Sequence, residues 1–211
     1  MSVITPKQYK ANLLEAGILS SEGVHYELAS GLHGRKLEFD KVIDGSELFD
    51  QTVQITAERI RRLYNPNRYG RLALIGVANG ANRFIDPIAE ELGLPGYKTQ
   101  KDENLSLLLT AEAQDFVDSD GYDSIVVFDD VGTQGTNSSM VAKEIWRVRP
   151  KAKVFVLNEA QRSPTLPLLT AIGVPYDHVL YWPLPSFSPQ DCHANPEGYC
   201  RRGWEIVDRF S

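Results

Sequence analysis

Two adjacent carboxylates are followed directly by a run of small and hydroxyl-bearing residues. Asp129 and Asp130 come just after an apolar stretch at 125–128, and residues 131–139 contain two glycines and four threonines or serines. A helix is predicted to begin at the end of this run. Free amides of a helix N-terminus, close-approaching glycine backbone and hydroxyl groups together bind phosphate oxygens. The pattern predicts a phosphate monoester site that needs no lysine.

The two aspartates require a partner of their own, because carboxylates repel a phosphate. Vicinal ribose hydroxyls donate charge-assisted hydrogen bonds to carboxylates, and a magnesium ion shared with the sugar offsets the remaining charge. A ligand that carries both ribose and a 5'-phosphate fits the segment. The alternative is an acidic pair that coordinates a metal in a doubly wound domain with no nucleotide ligand. No Gly-Lys-Ser/Thr follows a glycine-rich loop, which argues against a nucleoside triphosphatase.

Hydrophobic periodicity predicts the elements that position these residues. Apolar runs typical of buried parallel strands alternate with amphipathic helices: strands at 72–77, 125–128 and 154–157, helices at 81–92 and 138–148. This alternation predicts an α/β fold with a doubly wound, mainly parallel sheet flanked by helices. Ligands of such sheets bind beyond the carboxyl ends of the strands.

The ends of the chain are predicted to be less regular. Helices are expected at 6–16 and 44–64, with short strands at 24–28 and 37–39 around a turn at 30–34. We therefore expect one domain over residues 1–211, with a small N-terminal hood at 1–45. A proline- and glycine-rich stretch predicts an irregular C-terminal extension at 184–211.

Composition excludes several classes of function. The 211 residues carry a formal charge of -6, so no global positive field favours nucleic acid or an anionic membrane. No signal core or membrane-spanning stretch is evident, and we expect a cytoplasmic protein. Cys192 and Cys200 are too few for a disulfide framework or a four-cysteine zinc site. With His193 they suggest a metal or redox pair, although two unrelated thiols are the favoured interpretation.

The segment 126–136 closely resembles the motif that binds 5-phosphoribosyl 1-diphosphate (PRPP) in type I phosphoribosyltransferases. Among these enzymes the chain is most similar to orotate phosphoribosyltransferases. The resemblance begins at Gly17-Ile-Leu19, includes the turn Leu28-Ala-Ser-Gly31 and continues to residue 157. It implies the type I phosphoribosyltransferase fold, magnesium-dependent transfer and a homodimer.

The resemblance assigns roles to the two loops that follow strands. Asp129 and Asp130 would hold the ribose hydroxyls and, through the sugar, the magnesium ion, and Asp130 would also stabilise positive charge on the ribose. The 5'-phosphate would be held by Thr133, Gln134, Gly135, Thr136, Asn137 and Ser138. Pyrophosphate would be held by Ala78, Asn79 and Gly80. Arg83 either adds a positive charge there or is a solvated residue of the first helical turn.

A further catalytic contribution is implied for two lysines. The family closes a mobile loop over the diphosphate, often onto the neighbouring subunit, and residues 97–103 occupy its place with Lys98 and Lys101. The histidine and glycines usual in that loop are missing, since Asp102 follows Lys101 directly.

Two positions argue against orotate as the acceptor. Ala29 and Glu159 stand where orotate enzymes carry basic residues. Glu159 suits a neutral or cationic acceptor, whereas His33, Arg35 and Lys36 would restore an anion site, and the sequence does not decide between these. The four histidines, 25, 33, 178 and 193, are expected in loops or on the surface rather than as general bases.

The sequence therefore predicts transfer of 5-phosphoribose from PRPP to a nitrogen of a heterocyclic base, with release of pyrophosphate. Small molecules would be its substrates, with no nucleic acid or membrane partner. The alternative within this interpretation is a PRPP-binding regulatory protein without turnover.

Overall fold

The computed structural model describes residues 4–28, 31–64, 70–104, 106–119 and 122–207. The helices are α1 (Pro6–Glu15), α2 (Glu47–Leu63), α3 (Asn82–Leu92), α4 (Ala111–Asp118), α5 (Thr136–Val148), α6 (Pro167–Ala171) and α7 (Pro189–Ala194). The strands are β1 (Val24–Glu27), β2 (His33–Gly34), β3 (Leu72–Gly76), β4 (Gly96–Lys101), β5 (Leu107–Leu109), β6 (Ser124–Gly132), β7 (Lys153–Gln161), β8 (Tyr176–Tyr181), β9 (Ser186–Phe187) and β10 (Glu205–Val207).

A central sheet of six strands has the order β5-β4-β3-β6-β7-β8. Its strands are parallel except for β5, which pairs antiparallel with β4 at one edge. All five residues of β3 are buried, as a strand covered on both faces requires. The prediction of a doubly wound, mainly parallel α/β sheet is confirmed.

Helices cover both faces of this sheet. On one face α2 packs against α1 and α3, and the rings of Phe49 and Phe84 stack with centroids 5.1 Å apart. On the other face α5 packs against α4 and α6. No helix in the described ranges is long and apolar enough to cross a membrane. Burial on both faces explains why the central strands have continuous apolar sequences.

A second, smaller sheet joins the two ends of the chain. Its order is β10-β1-β2-β9, so two strands come from the N-terminal hood and two from the C-terminal segment. The β1–β10 pair is parallel, and the other pairs are antiparallel. The segment expected to be an irregular extension therefore supplies β9, α7 and β10, and it completes the hood.

Several local predictions differ from the structure. The strand expected at 37–39 is an isolated bridge between Leu19 and Leu37, followed by a 3-10 turn at Phe39–Lys41. The loop expected at 97–103 is largely strand β4, which forms a hairpin with β5. Residues 29–30, part of the predicted Ser-Gly turn, and the predicted helix break at 65–66 lie outside the described residues.

Candidate active site

The two aspartates lie at the carboxyl end of β6 and engage different neighbours. Asp129 is buried, and its Oδ2 accepts a hydrogen bond of 2.6 Å from the Ser138 hydroxyl of α5. Oδ1 of Asp130 accepts one of 2.9 Å from the amide of Val131. Oδ2 of Asp130 lies so close to Gly80 that a Cβ there would collide with it. The acidic pair therefore bridges α5 and the loop that follows β3.

The environment of this pair disfavours two negative charges. Burial, followed by the charge of Asp130, raises the pKa of Asp129 to about 8, and burial also raises the pKa of Asp130. Carboxylates withdrawn from water need hydroxyl donors or a cation to be stable in ionised form. A ligand that supplies such groups would relieve the penalty, as expected for a binding site.

The loop between β6 and α5 surrounds a small pocket of about 50 Å³. Its lining comprises Leu28, Asp129, Val131, Thr133, Gln134, Gly135, Thr136 and Asn137. Gly135, the residue before α5, has φ 78°, a left-handed conformation that glycine adopts without strain. The first amides of α5 have no partner within the helix and adjoin this pocket. The arrangement suits an anion of the size of a phosphate group.

One predicted phosphate contact has another role in the structure. Ser138 is fully buried, and its hydroxyl donates to Asp129. The hydroxyl of Ser139 donates to the carbonyl of Thr136 at 2.8 Å. The threonines at 133 and 136 are therefore the hydroxyl residues that line the pocket.

The loop after β3 is fixed by a buried threonine of the neighbouring strand. The Ala78 amide donates to Oγ1 of Thr99 at 2.8 Å, and that hydroxyl donates to the carbonyl of Gly76 at 2.8 Å. The peptide bond between Ala78 and Asn79 is cis. The predicted residues Ala78, Asn79 and Gly80 thus lie on an anchored loop that faces Asp130.

The basic residues predicted for the diphosphate make their contacts away from the β3 loop and Asp130. Nζ of Lys98 forms an ion pair of 2.6 Å with Asp86 of α3, and Lys101 is exposed at the end of β4. Arg83 binds Asp44 and the carbonyls of Asp40 and Val42, so it anchors the hood to α3. The interpretation of Arg83 as a solvated residue is wrong.

Glu159 is fully buried beneath helix α2. Its Oε2 lies 2.5 Å from Oγ1 of Thr56, which also lies 2.7 Å from the carbonyl oxygen of Thr52. Burial raises the pKa of Glu159 to about 7, against the opposing effect of the Thr56 hydrogen bond. One hydroxyl hydrogen cannot serve both acceptors, so a protonated Glu159 that donates to Thr56 leaves the Thr56 hydroxyl free to donate to the Thr52 carbonyl.

Arg162 is a buried cation that sequence reasoning missed. It follows β7, its amide donates to the carbonyl of Gly132, and its Nη2 donates to Oγ of Ser186 at 3.2 Å. Burial lowers its pKa to about 10. The guanidinium lies against Gly34 of β2, where a Cβ would come within 2.7 Å of it. Arg162 therefore occupies the seam between the hood and the carboxyl edge of the main sheet.

The basic residues expected to compensate for Ala29 and Glu159 have other contacts. Arg35 donates to the Ser20 carbonyl and lies over the ring of Trp204, while Lys36 lies over the ring of Tyr26. His33 contacts the thiol of Cys200. None of the three is placed by these contacts at the acidic pair, and Ala29 lies outside the described residues.

Two histidine predictions are wrong. His25 and His33 are buried, not in surface loops, and both contact the sulfur of Cys200. His178 is half-buried in β8, and His193 is exposed on α7. The interpretation of Cys192 and Cys200 as unrelated thiols is also wrong. The Cys200 amide donates to Sγ of Cys192 at 3.2 Å, and that sulfur lies 3.9 Å from Nε2 of His25.

Comparisons with known proteins identify the fold. No family model and no curated protein sequence matches the chain. Orotate phosphoribosyltransferase from Aeropyrum pernix is similar in structure, with TM-score 0.59, 20% identity, and coverage of 82% of this chain and 92% of that chain. Adenine phosphoribosyltransferase from Rhodothermus marinus gives TM-score 0.57 and 13% identity over 83% and 99% of the two chains.

A third similar structure is the UMP synthase of Leishmania donovani, with TM-score 0.61 and 15% identity. The match covers 83% of this chain and 36% of that longer chain. At these identities the likeness establishes the fold. The chain has the type I phosphoribosyltransferase fold that the sequence resemblance implied.

Proposed function

We propose that this chain, which has the type I phosphoribosyltransferase fold, transfers 5-phosphoribose from PRPP to a ring nitrogen of a heterocyclic base. The nitrogen forms a bond to C1 of the ribose, and the bond between C1 and the diphosphate oxygen breaks. Pyrophosphate leaves with the bonding electrons, and the base loses a proton. PRPP and the base are thus its small-molecule partners.

The single observation that supports this proposal most strongly is the arrangement around the acidic pair. Asp129 and Asp130 lie between a phosphate-sized pocket on one side and the glycine loop of β3 on the other. PRPP has the same order of groups, with ribose between a 5'-phosphate and a 1-diphosphate. A site that held only phosphate would gain nothing from two adjacent carboxylates beside it.

Electrostatic stabilisation is the main chemistry available to these residues. As the C1–O bond breaks, the ribose ring gains positive charge, and a neighbouring Asp130 carboxylate stabilises that charge. Ribose hydroxyls that donate to both aspartates would also favour their ionised forms. The amides at the start of α5 would hold the 5'-phosphate and fix the position of the sugar.

The donor set also fits magnesium. Mg²⁺ prefers hard oxygen ligands, and Asp129 and Asp130 would hold the ion indirectly, through the ribose hydroxyls that they bind. When bound, the ion would neutralise charge on the departing diphosphate. Lys98 and Lys101 would supply further positive charge if PRPP draws the β4–β5 hairpin over the site, which requires Lys98 to leave Asp86.

The test measures pyrophosphate released from PRPP, in the presence of magnesium, with each base of a panel. The panel includes orotate and adenine, because structurally similar proteins act on each, together with other oxo- and amino-substituted purines and pyrimidines. We expect release with at least one base and none without a base. Absence of release with every base contradicts the proposal.

A parallel thermal unfolding measurement separates transfer from mere binding. PRPP that binds the folded chain raises the melting temperature by mass action. A raised melting temperature together with no pyrophosphate release would select the regulatory alternative. No thermal shift and no release would reject both.

A further inference from the structure

We propose that His25, His33, Cys192 and Cys200 bind one structural zinc ion that joins the two ends of the chain. The four potential ligand atoms, two imidazole nitrogens and two sulfurs, all lie within 4.8 Å of one another. Two histidines and two cysteines are a donor set that zinc takes in closed structural sites. This site is separate from the acidic pair and does not depend on the proposed transferase activity.

The distances fit a tetrahedral ion at the centre of the group. Sγ of Cys200 lies 3.3 Å from Nε2 of His25 and 3.3 Å from Nδ1 of His33, and Sγ of Cys192 lies 3.9 Å from Nε2 of His25. Usual zinc–sulfur and zinc–nitrogen bond lengths give tetrahedral edges of about 3.3–3.8 Å. The widest separation in the group, up to 4.8 Å, exceeds this range by about 1 Å, so zinc would draw these side chains together by about that amount.

The four residues are largely enclosed by the fold. Three of the four residues are buried, and Cys200 is half-buried. The backbone amide of Cys200 donates to Sγ of Cys192 at 3.2 Å, which would spread the negative charge of a thiolate. Tyr199 stacks on the His25 ring at 5.5 Å and adjoins Trp204 and Phe187. Sulfur and imidazole donors thus converge inside an aromatic shell that limits access of water.

The placement of the ligands explains what the ion would do. His25 lies in β1 and His33 in β2, whereas Cys192 lies in α7 and Cys200 follows it. The sheet they adjoin contains strands of only two to four residues, which are too short to be stable alone. Metal binding couples directly to folding in small units of this kind. With four protein ligands the ion has no open position, so its role is structural.

The first measurement is zinc content. Protein purified under reducing conditions without chelator is expected to hold about one zinc ion per chain, as a four-ligand site requires. Cys200→Ser is expected to lose most of it. His193→Ala, which removes an exposed histidine next to Cys192 but outside the group, is the matched control and is expected to keep it.

A second measurement uses wild-type protein and so avoids any effect of a misfolded variant. The chain is stripped with a chelator and titrated with Co²⁺, which is expected to give the thiolate charge-transfer band and the strong visible absorption of tetrahedral coordination. Chelation is also expected to lower the melting temperature, and added zinc to restore it. Wild-type protein that contains no zinc and gives no such cobalt spectrum overturns the proposal. So does a Cys192–Cys200 disulfide found in protein purified without added reductant.

Discussion

Asp130 links the end of β6 to the loop that follows β3, because one of its oxygens accepts from the Val131 amide and the other faces Gly80. Replacing it with asparagine keeps the size of the side chain but removes the charge proposed to stabilise the ribose cation. We expect Asp130→Asn to lower the rate of pyrophosphate release by a factor of about 100 or more. Steady-state kinetics with the active base measure this.

The same substitution should not weaken the fold. The charge of Asp130 disfavours ionisation of its neighbour Asp129, so removing that charge is expected to leave the melting temperature unchanged or slightly raised. Asp115→Asn, an exposed change on α4, is the control for activity. An Asp130→Asn variant with wild-type turnover would refute the role assigned to this carboxylate.

The raised pKa of Glu159 predicts that the free energy of unfolding depends on pH. Its pKa is about 7 in the folded protein against an ordinary value of 4.5, so the folded state binds the proton more tightly. The stabilisation from the protonated Glu159 is therefore fully present below about pH 4.5 and is lost as the pH rises through about 7. The difference corresponds to about 3 kcal/mol of unfolding free energy between these limits.

Glu159→Gln should remove this dependence, because the amide donates a hydrogen bond to Thr56 at every pH. Urea unfolding at several pH values between 5 and 8 is expected to show that the variant exceeds the wild type in stability at pH 8 and approaches it at pH 5. The exposed Glu90→Gln on α3 serves as the control. Parallel pH profiles for wild type and Glu159→Gln would contradict the account.

At the scale of elements, the approach of the β3 loop to β6 depends on the absence of a side chain at Gly80. An added Cβ would collide with Asp130, so one of the two loops must move. We expect Gly80→Ala to lower kcat/KM for PRPP at least about tenfold, since small misplacements of reacting groups are costly. Steady-state kinetics with PRPP as the varied substrate measure this.

A remote glycine supplies the matched comparison for that variant. Gly173→Ala is also strained, because Gly173 has φ 72°, but this residue precedes β8 at the opposite end of the sheet. It should lower the melting temperature and leave kcat/KM unchanged. Equal activity of the two alanine variants would show that the contact between Gly80 and Asp130 is unimportant.

The β4–β5 hairpin is proposed to contribute Lys101 to PRPP binding, which a substitution tests. If this hairpin closes over the diphosphate, Lys101→Ala should raise KM for PRPP about tenfold, because an exposed cation that meets a phosphate group only in the complex contributes through binding. Lys153→Ala, at the amino end of β7, is the control. Unchanged KM in Lys101→Ala would remove this lysine from the site.

The predictability of the elements follows from the range of the interactions that form them. Helices α1 and α5 and strand β3 were predicted to within a few residues because capping and apolar periodicity are local in sequence. The expectation of a mobile loop at 97–103 comes from the family resemblance, whereas the structure places most of these residues in strand β4. Its pairing with β5 depends on residues several positions away and carries no local pattern.

In the candidate site, too, features formed by neighbouring residues are predictable from sequence and features formed by distant residues are not. The positions of the acidic pair and of the turn before α5 are predictable from sequence because strand, carboxylates and glycine-rich turn are contiguous. Arg162 and the surroundings of Glu159 were not found, since each depends on elements far apart in the chain. Ser138 was assigned to phosphate, and only the fold reveals that its hydroxyl serves Asp129.

At the scale of the whole molecule, the two ends of the chain form one hood beside the sheet edge that carries the site. Strand β10 pairs with β1, and β9 pairs with β2, across most of the sequence length. Pairing at such separation follows from no local pattern, so the sequence suggested an irregular tail. Leu28 follows β1 and lines the phosphate-sized pocket, so the hood contributes directly to the candidate site.

The central claim is that the turn between β6 and α5 receives a sugar phosphate. A crystal soaked with ribose 5-phosphate tests it most directly. The account predicts phosphate oxygens within about 3 Å of the amides at the start of α5. It also predicts the sugar hydroxyls on Asp129 and Asp130. An empty pocket, or a sugar bound elsewhere while both carboxylates keep only their protein contacts, would contradict it.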